Sequence, residues 1–224
     1  HDQLPGLAGG HGQPCPDGGF AMVTHLEHGG QGWKDGLLDF SASLNPLGPP
    51  WTVLDLCRDP SAWLNHYPDP DYRELRSGLA AHHGVDPCRV VPGNGASQLI
   101  QDILYMWKPR LCMVCVPGFS EYARMAVHAG AQVSEWTLDP RDNFTVRAGG
   151  LIRALETGGA DTLVLGHPNN PTSRLIPPDD LASILAWTRS HGVRVLVDEA
   201  FLELSIGGEA ASALRHAEDC GTLA

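Results

Sequence analysis

The chain has 224 residues, 42% of them apolar, with 15 basic and 26 acidic side chains giving a formal net charge of −11. That length suits one large α/β domain, or one domain with a small appendage, and the apolar share supplies a substantial core. The negative charge argues against a general nucleic-acid binder, and no apolar stretch reaches the ~18–20 residues that cross a bilayer, so neither nucleic acid nor a membrane is an expected partner.

Residues 1–21 are rich in Gly and Pro without periodicity and predict a loose tail, with Met22 offering a natural start. No basic region followed by an apolar stretch opens the chain, which gives no sign of a secretory leader. From His28 to Pro50 the pattern is loop-like, apart from the short apolar run Leu37-Leu-Asp-Phe40. Asp71 to His83 predicts a helix, because Tyr72, Leu75, Leu79 and Ala80 recur at helical spacing. Val90 and Val91 then lead into the turn Pro92-Gly-Asn-Gly-Ala-Ser97, and Leu99, Ile100, Ile103 and Leu104 continue as one apolar helix face. Cys112 to Val116 predicts a strand, Glu121 to Ala129 a helix, and Gly150 to Glu156 another. Thr162 to Leu165 and Val193 to Val197 are further strands, with a helix over Asp179 to Ser190 between them. Strands alternating with helices of this length predict an α/β fold with a mostly parallel sheet flanked by helices. No internal repeat is present.

Three of these strands run into polar or aromatic residues, at Pro117-Gly-Phe-Ser-Glu-Tyr122, at His167-Pro-Asn-Asn-Pro-Thr172 and at Asp198. Open α/β sheets bind ligands outside the carboxyl ends of their strands, which makes these segments candidates for one site. Taken singly, each residue has an ordinary reading. The glycine turn before a helix is a common cap, Phe119 an ordinary packed aromatic, Asn169-Asn170-Pro171 a turn, and Asp198 a cap or a solvated charge. Taken together they offer helix-start amides for a phosphate, a planar face for a ring, an amide donor and a carboxylate for a ring nitrogen. That is the set pyridoxal phosphate requires. The turn is neither GxGxxG nor GxxxxGK[ST], which disfavours dinucleotide and P-loop readings. Cys112 and Cys115 form a CxxC inside a predicted strand, with no second ligand pair at zinc spacing, so ordinary buried thiols in a reducing compartment are expected and no metal.

The ordered segments resemble the fold-type I aminotransferases. They are His28-Gly-Gly30, Asp39-Phe-Ser-Ala-Ser-Leu-Asn-Pro-Leu-Gly48, His66-Tyr-Pro-Asp-Pro70, Gly93-Asn-Gly-Ala96, Pro117 to Tyr122, Pro168-Asn-Asn-Pro-Thr172 and Asp198-Glu-Ala-Phe201. In detail they are similar to the threonine-phosphate decarboxylases of cobalamin biosynthesis, with the histidinol-phosphate aminotransferases nearby. The resemblance implies that Gly95, Ala96 and Ser97 hold the phosphate of pyridoxal 5′-phosphate. Phe119 would stack on the ring, Asn170 would donate to its phenolic oxygen, and Asp198 would pair with the ring nitrogen. Tyr67 would reach the phosphate of a neighbouring subunit in a homodimer, and His28, Gly29, Ser43 and Asn170 would line the substrate side. It also implies a flexible tail over residues 1–27, an N-terminal substrate and dimer arm over 28–70, and a cofactor-binding large domain over 71–224.

Three positions depart from that pattern. Ser43 stands where the decarboxylases have Asn, Ser173 replaces a Gly, and Phe201 replaces the tyrosine of transaminases, a form the decarboxylase branch shares. The family's Schiff-base lysine lies in a Ser-x-x-Lys segment that is expected beyond Ala224, and the sequence holds only Lys34 and Lys108. The resemblance implies a cytoplasmic enzyme that decarboxylates L-threonine O-3-phosphate to (R)-1-aminopropan-2-yl phosphate, with this chain expected to be truncated and inactive. The alternatives are a histidinol-phosphate type aminotransferase and a non-enzymatic vestigial domain.

Overall fold

The computed structural model describes residues 36, 38, 45 and 47–216. The chain divides into two compact units, His1–Asp69 and Pro70–Ala224. In the first, helices α1 (Trp51–Arg58) and α2 (Ser61–Leu64) bury none of their described side chains. Neither helix is evident from periodicity.

The second unit carries the fold. After α3 (Arg73–His83) and α4 (Gly95–Trp107) come β1 (Leu111–Val116), α5 (Glu121–His128), β2 (Gln132–Thr137) and α6 (Ala148–Gly158). β3 (Thr162–Gly166), α7 (Pro178–Ser190) and β4 (Arg194–Asp198) follow, and the chain then continues in short 3-10 turns through His216. All strands are parallel, in the order β2-β1-β3-β4. The predicted parallel α/β sheet is therefore present, and each predicted helix and strand from α3 onward lies within a few residues of its expected place. β2 is the addition. Its residues Gln132, Ser134, Glu135 and Thr137 break any apolar run, and as an edge strand it needs burial at few positions.

Strand alternation sorts the core into two layers. Met113, Cys115, Leu163, Leu165, Val195 and Val197 face Leu151 and Leu155 of α6 and Ile184 and Leu185 of α7. On the opposite face Cys112, Val114, Val164 and Leu196 meet Ile100 and Leu104 of α4 and Tyr122, Met125 and Ala126 of α5. Every residue of β3 is buried, so each large apolar side chain there removes enough surface to stabilise the fold by roughly 2 kcal/mol. The two cysteines three residues apart thus lie in different layers. Burial pushes both thiols up to about 12, which keeps them protonated and apolar in character.

Connections between parallel strands must cross back over the sheet, so α5, α6 and α7 start at the strands' carboxyl edge. α4 leads into β1 and has the same direction. The Arg194 guanidinium, at the start of β4, donates to the carbonyl of Trp107 at the far end of α4 (2.6 Å). The order of connections reverses at β1, which leads first outward to β2 and then inward to β3. A crevice at that reversal is where such sheets place ligands.

Candidate functional site

Three strand ends converge on that edge. Beyond β1, Phe119 is half-buried and meets the ring of Tyr122 edge-to-face, with centroids 5.4 Å apart. Beyond β3, the side-chain amide of Asn169 donates to the Pro117 carbonyl (3.0 Å) and to the Thr172 hydroxyl (3.0 Å), which ties the β1 and β3 loops together. His167 is wholly buried. Its Nδ1 accepts from the Ile176 amide (3.1 Å) and its Nε2 donates to the Ala211 carbonyl (2.9 Å), so it is a neutral structural anchor with both nitrogens used. Asn170, the residue after Asn169, is exposed, and among the described residues its side chain makes no hydrogen bond.

At the end of β4, Asp198 is half-buried. Its Oδ2 accepts from the Tyr122 hydroxyl (2.8 Å) and its Oδ1 from the Ala200 amide (3.0 Å). Both donors are neutral, and among the described residues no cation pairs with Asp198. Tyr122 is 4% exposed. Burial first, and the Asp198 charge second, push its phenol far above the ordinary tyrosine range, so it stays a hydrogen-bond donor. Tyr122 belongs to the motif after β1, but its sequence position marks no role for it. An aromatic three residues after another at a helix start signals packing and does not disclose which acceptor its hydroxyl finds. Glu199 points elsewhere. It accepts from the Ser212 hydroxyl (2.7 Å) and the Ala213 amide (2.6 Å), which draws the segment after β4 back towards the strand.

Gly95, Ala96 and Ser97 form the first turn of α4; the Gln98 side chain accepts from the Asn94 amide just before it (2.7 Å), and among the described residues no side chain takes the amides of the turn itself. Its leading amides therefore keep free N–H groups with the positive end of the helix behind them. Gly95 takes φ +79°, a conformation L side chains rarely adopt, and a Cβ there would meet nothing within 4 Å. Ala96 packs against the layer that contains Phe119 and Tyr122. The phosphate-binding, ring-stacking and ring-nitrogen candidates thus share one edge of the sheet. Tyr67 lies in the first unit and is fully exposed. His28, Gly29 and Ser43 lie outside the described residues. Ser173 adopts φ +56°, which confirms that the turn wants a left-handed residue at this place.

A cavity of about 1030 Å³ opens beside β4 and is lined by Arg89, Val197, Leu202 and Arg215 among others, but by none of the cofactor candidates. On its wall the imidazole of His82 stands 3.3 Å from Glu203 and 2.9 Å from Glu209, with all three side chains more than half exposed. Such a solvated cluster contributes little to stability. No helix among the described residues is long and apolar enough to cross a membrane.

A family model described as aminotransferase class I and II matches residues 58–222. The chain is 37% identical over 169 residues to threonine-phosphate decarboxylase of Salmonella typhimurium, covering 75% of this chain and 46% of that protein. It is 36% identical over 145 residues to histidinol-phosphate aminotransferase of Ruminiclostridium cellulolyticum, covering 63% and 40%. The crystal structure of the histidinol-phosphate aminotransferase from Clostridium acetobutylicum superposes with a TM-score of 0.71 at 26% identity, covering 84% of this chain and 54% of that one. The chain spans about half the length of the curated relatives it matches.

Proposed function

Because the chain belongs to the aminotransferase class I and II family, whose members depend on pyridoxal 5′-phosphate, we propose that it supplies the cofactor-binding half of a decarboxylase acting on L-threonine O-3-phosphate. The donor set fits the cofactor. Asp198 is a half-buried carboxylate held by two neutral donors and, among the described residues, by no cation, an arrangement that a protonated pyridine nitrogen completes. That observation carries the reading. The uncapped first turn of α4 at Gly95, Ala96 and Ser97 would hold the phosphate, Phe119 would give the ring a face, and Asn170 would donate to the phenolic oxygen. When bound, the cofactor supplies an electron sink for the pair released as a bond at the substrate's α-carbon breaks.

Which bond breaks depends on how the substrate is held. Residues 28–70 form the substrate and dimer arm in this proposal, after a tail over 1–27, and 71–224 form the cofactor domain. The product would be (R)-1-aminopropan-2-yl phosphate, as a step towards cobalamin. The decarboxylase reading rests on the similarity to the Salmonella protein and on Phe201, which brings no hydroxyl to the ring. Histidinol-phosphate type transamination is the second reading, favoured by the Ruminiclostridium and Clostridium relatives. Tyr67, with its ring fully exposed, would reach the neighbouring subunit of a homodimer in the cytoplasm.

Neither lysine of this sequence lies in a Ser-x-x-Lys segment. Lys108 caps α4 at the amino edge of the strands, about 20 Å from the carboxyl edge across a six-residue strand, and Lys34 lies outside the described residues. Turnover by these 224 residues alone is therefore not expected. Two measurements test the proposal. The chain should bind pyridoxamine 5′-phosphate, which needs no lysine, and Asp198→Asn should weaken that binding about 100-fold, the scale of a lost buried ion pair. The whole protein should release carbon dioxide from threonine O-3-phosphate without a keto-acid acceptor; acceptor-dependent amino transfer would decide for the second reading.

A further inference from the structure

Tyr122 is a buried group at this edge to which the cofactor contacts give no direct task. We infer that Tyr122 is a positioning residue of the cofactor site, its hydroxyl fixing the Asp198 carboxylate and its ring edge fixing Phe119, an inference that rests on the cofactor reading above. One side chain would thereby set two of the protein contacts to the pyridine ring, its face and its nitrogen.

The geometry carries this in three steps. Tyr122 sits in the first turn of α5, whose start is set by the loop after β1, and its hydroxyl reaches Asp198 Oδ2 at 2.8 Å across 76 residues of sequence. The path is open because β3 ends in Gly166, the register partner of Asp198. A Cβ on Gly166 would lie 3.2 Å from the Tyr122 hydroxyl, closer than ordinary packing allows. The carboxylate, finally, is divided between two donors. The Ala200 amide donates to Oδ1 from the next turn of the same chain segment, and the Tyr122 hydroxyl donates to Oδ2 from beyond β1, across the end of β3. With Phe at this position only the local turn would hold the group, and Oδ2 would be free to swing.

A buried tyrosine hydroxyl that merely finds an acceptor would stabilise the fold without affecting the ligand. The two roles separate in a double-mutant cycle. Pyridoxamine 5′-phosphate is titrated into the wild-type chain, Tyr122→Phe, Asp198→Asn and the double variant, with affinity and the absorbance of the bound ring as readouts. Loss of a hydrogen bond to a charged group predicts about tenfold weaker binding for Tyr122→Phe, together with a smaller share of protonated ring. In the Asp198→Asn background the same change should alter affinity by less than about twofold, since the partner charge is already gone. Equal affinity and equal spectra for wild type and Tyr122→Phe overturn the inference and leave the cofactor reading intact. No binding by the wild type overturns that reading, and this inference with it. If Tyr122→Phe does not fold, the coupling is read from the other side by absorbance at high pH. Asp198→Asn should let the buried phenol ionise at lower pH than in wild type, and an unchanged titration overturns the inference.

Discussion

At the end of β4 both oxygens of Asp198 are held, one by the neighbouring turn and one by a buried phenol from α5, whereas at the end of β3 the exposed amide of Asn170 makes no hydrogen bond among the described residues. The next strand over thus delivers its ligand-facing group loose, while its inner neighbour Asn169 is locked into the loop junction. The difference follows charge. A misdirected carboxylate loses more electrostatic stabilisation than a misdirected neutral amide, so the charged group gains more from advance fixing.

The sharpest way to break this comparison is to exchange the roles of the two asparagines by truncation. Asn169→Ala should destabilise the fold by about 2 kcal/mol, since it strands the Pro117 carbonyl and the Thr172 hydroxyl. Asn170→Ala should leave stability within about 0.5 kcal/mol and weaken pyridoxamine 5′-phosphate binding several-fold. Urea unfolding beside ligand titration separates the two; equal stability losses would dissolve the distinction between anchor and ligand group.

A smaller effect is expected from alkali. The folded Tyr122 keeps its proton to higher pH than the free phenol, which ionises near 10. Its contribution is therefore fully present below pH 10 and is lost as pH rises further, by about 1.4 kcal/mol per pH unit. Cys112 and Cys115 act in the same direction between about 9 and about 12. Comparing wild type with Tyr122→Phe isolates the phenol, since the thiols are common to both. Identical alkaline stability curves would show that the β4 end is not held as described.

The smallest effect concerns the β3 loop itself. Ser173 sits at φ +56°, and Ser173→Gly should stabilise by about 1 kcal/mol, measured as a rise in thermal midpoint without change in affinity.

Residues whose burial is nearly continuous announce themselves, and β1, β3 and β4 were legible for that reason. β2 was not, because an edge strand with Gln132, Glu135 and Thr137 exposed carries no apolar run. α1 escaped because its eight residues span just over two turns, too few for a stripe to stand out. In the site, Phe119, Asp198 and the α4 turn follow from position after a strand or before a helix, which local sequence records. The hydroxyl of Tyr122 meeting a carboxylate 76 residues away is a property of strand order, and no local spacing encodes it. The same holds for Asn169, whose identical neighbour hides which of the two turns inward.

All of α4, α5, α6 and α7 run against the strands, so four helix beginnings gather at the edge from which Asp198 emerges. Each helix end carries a partial positive charge that fades within about a turn, but Glu121 in α5, Asp179 and Asp180 in α7, and Asp180 on the Ala148 amide of α6 offset three of them, which leaves the start of α4 inside a chain whose net charge is −11. A dianionic ligand is accordingly repelled at a distance and drawn in only at close range. Added salt screens the distant repulsion before the local attraction, since at physiological ionic strength screening sets in beyond ~8 Å. Ligand capture by this acidic protein should therefore quicken as ionic strength rises from a low value, the opposite of the slowing seen where a whole surface steers its ligand inward.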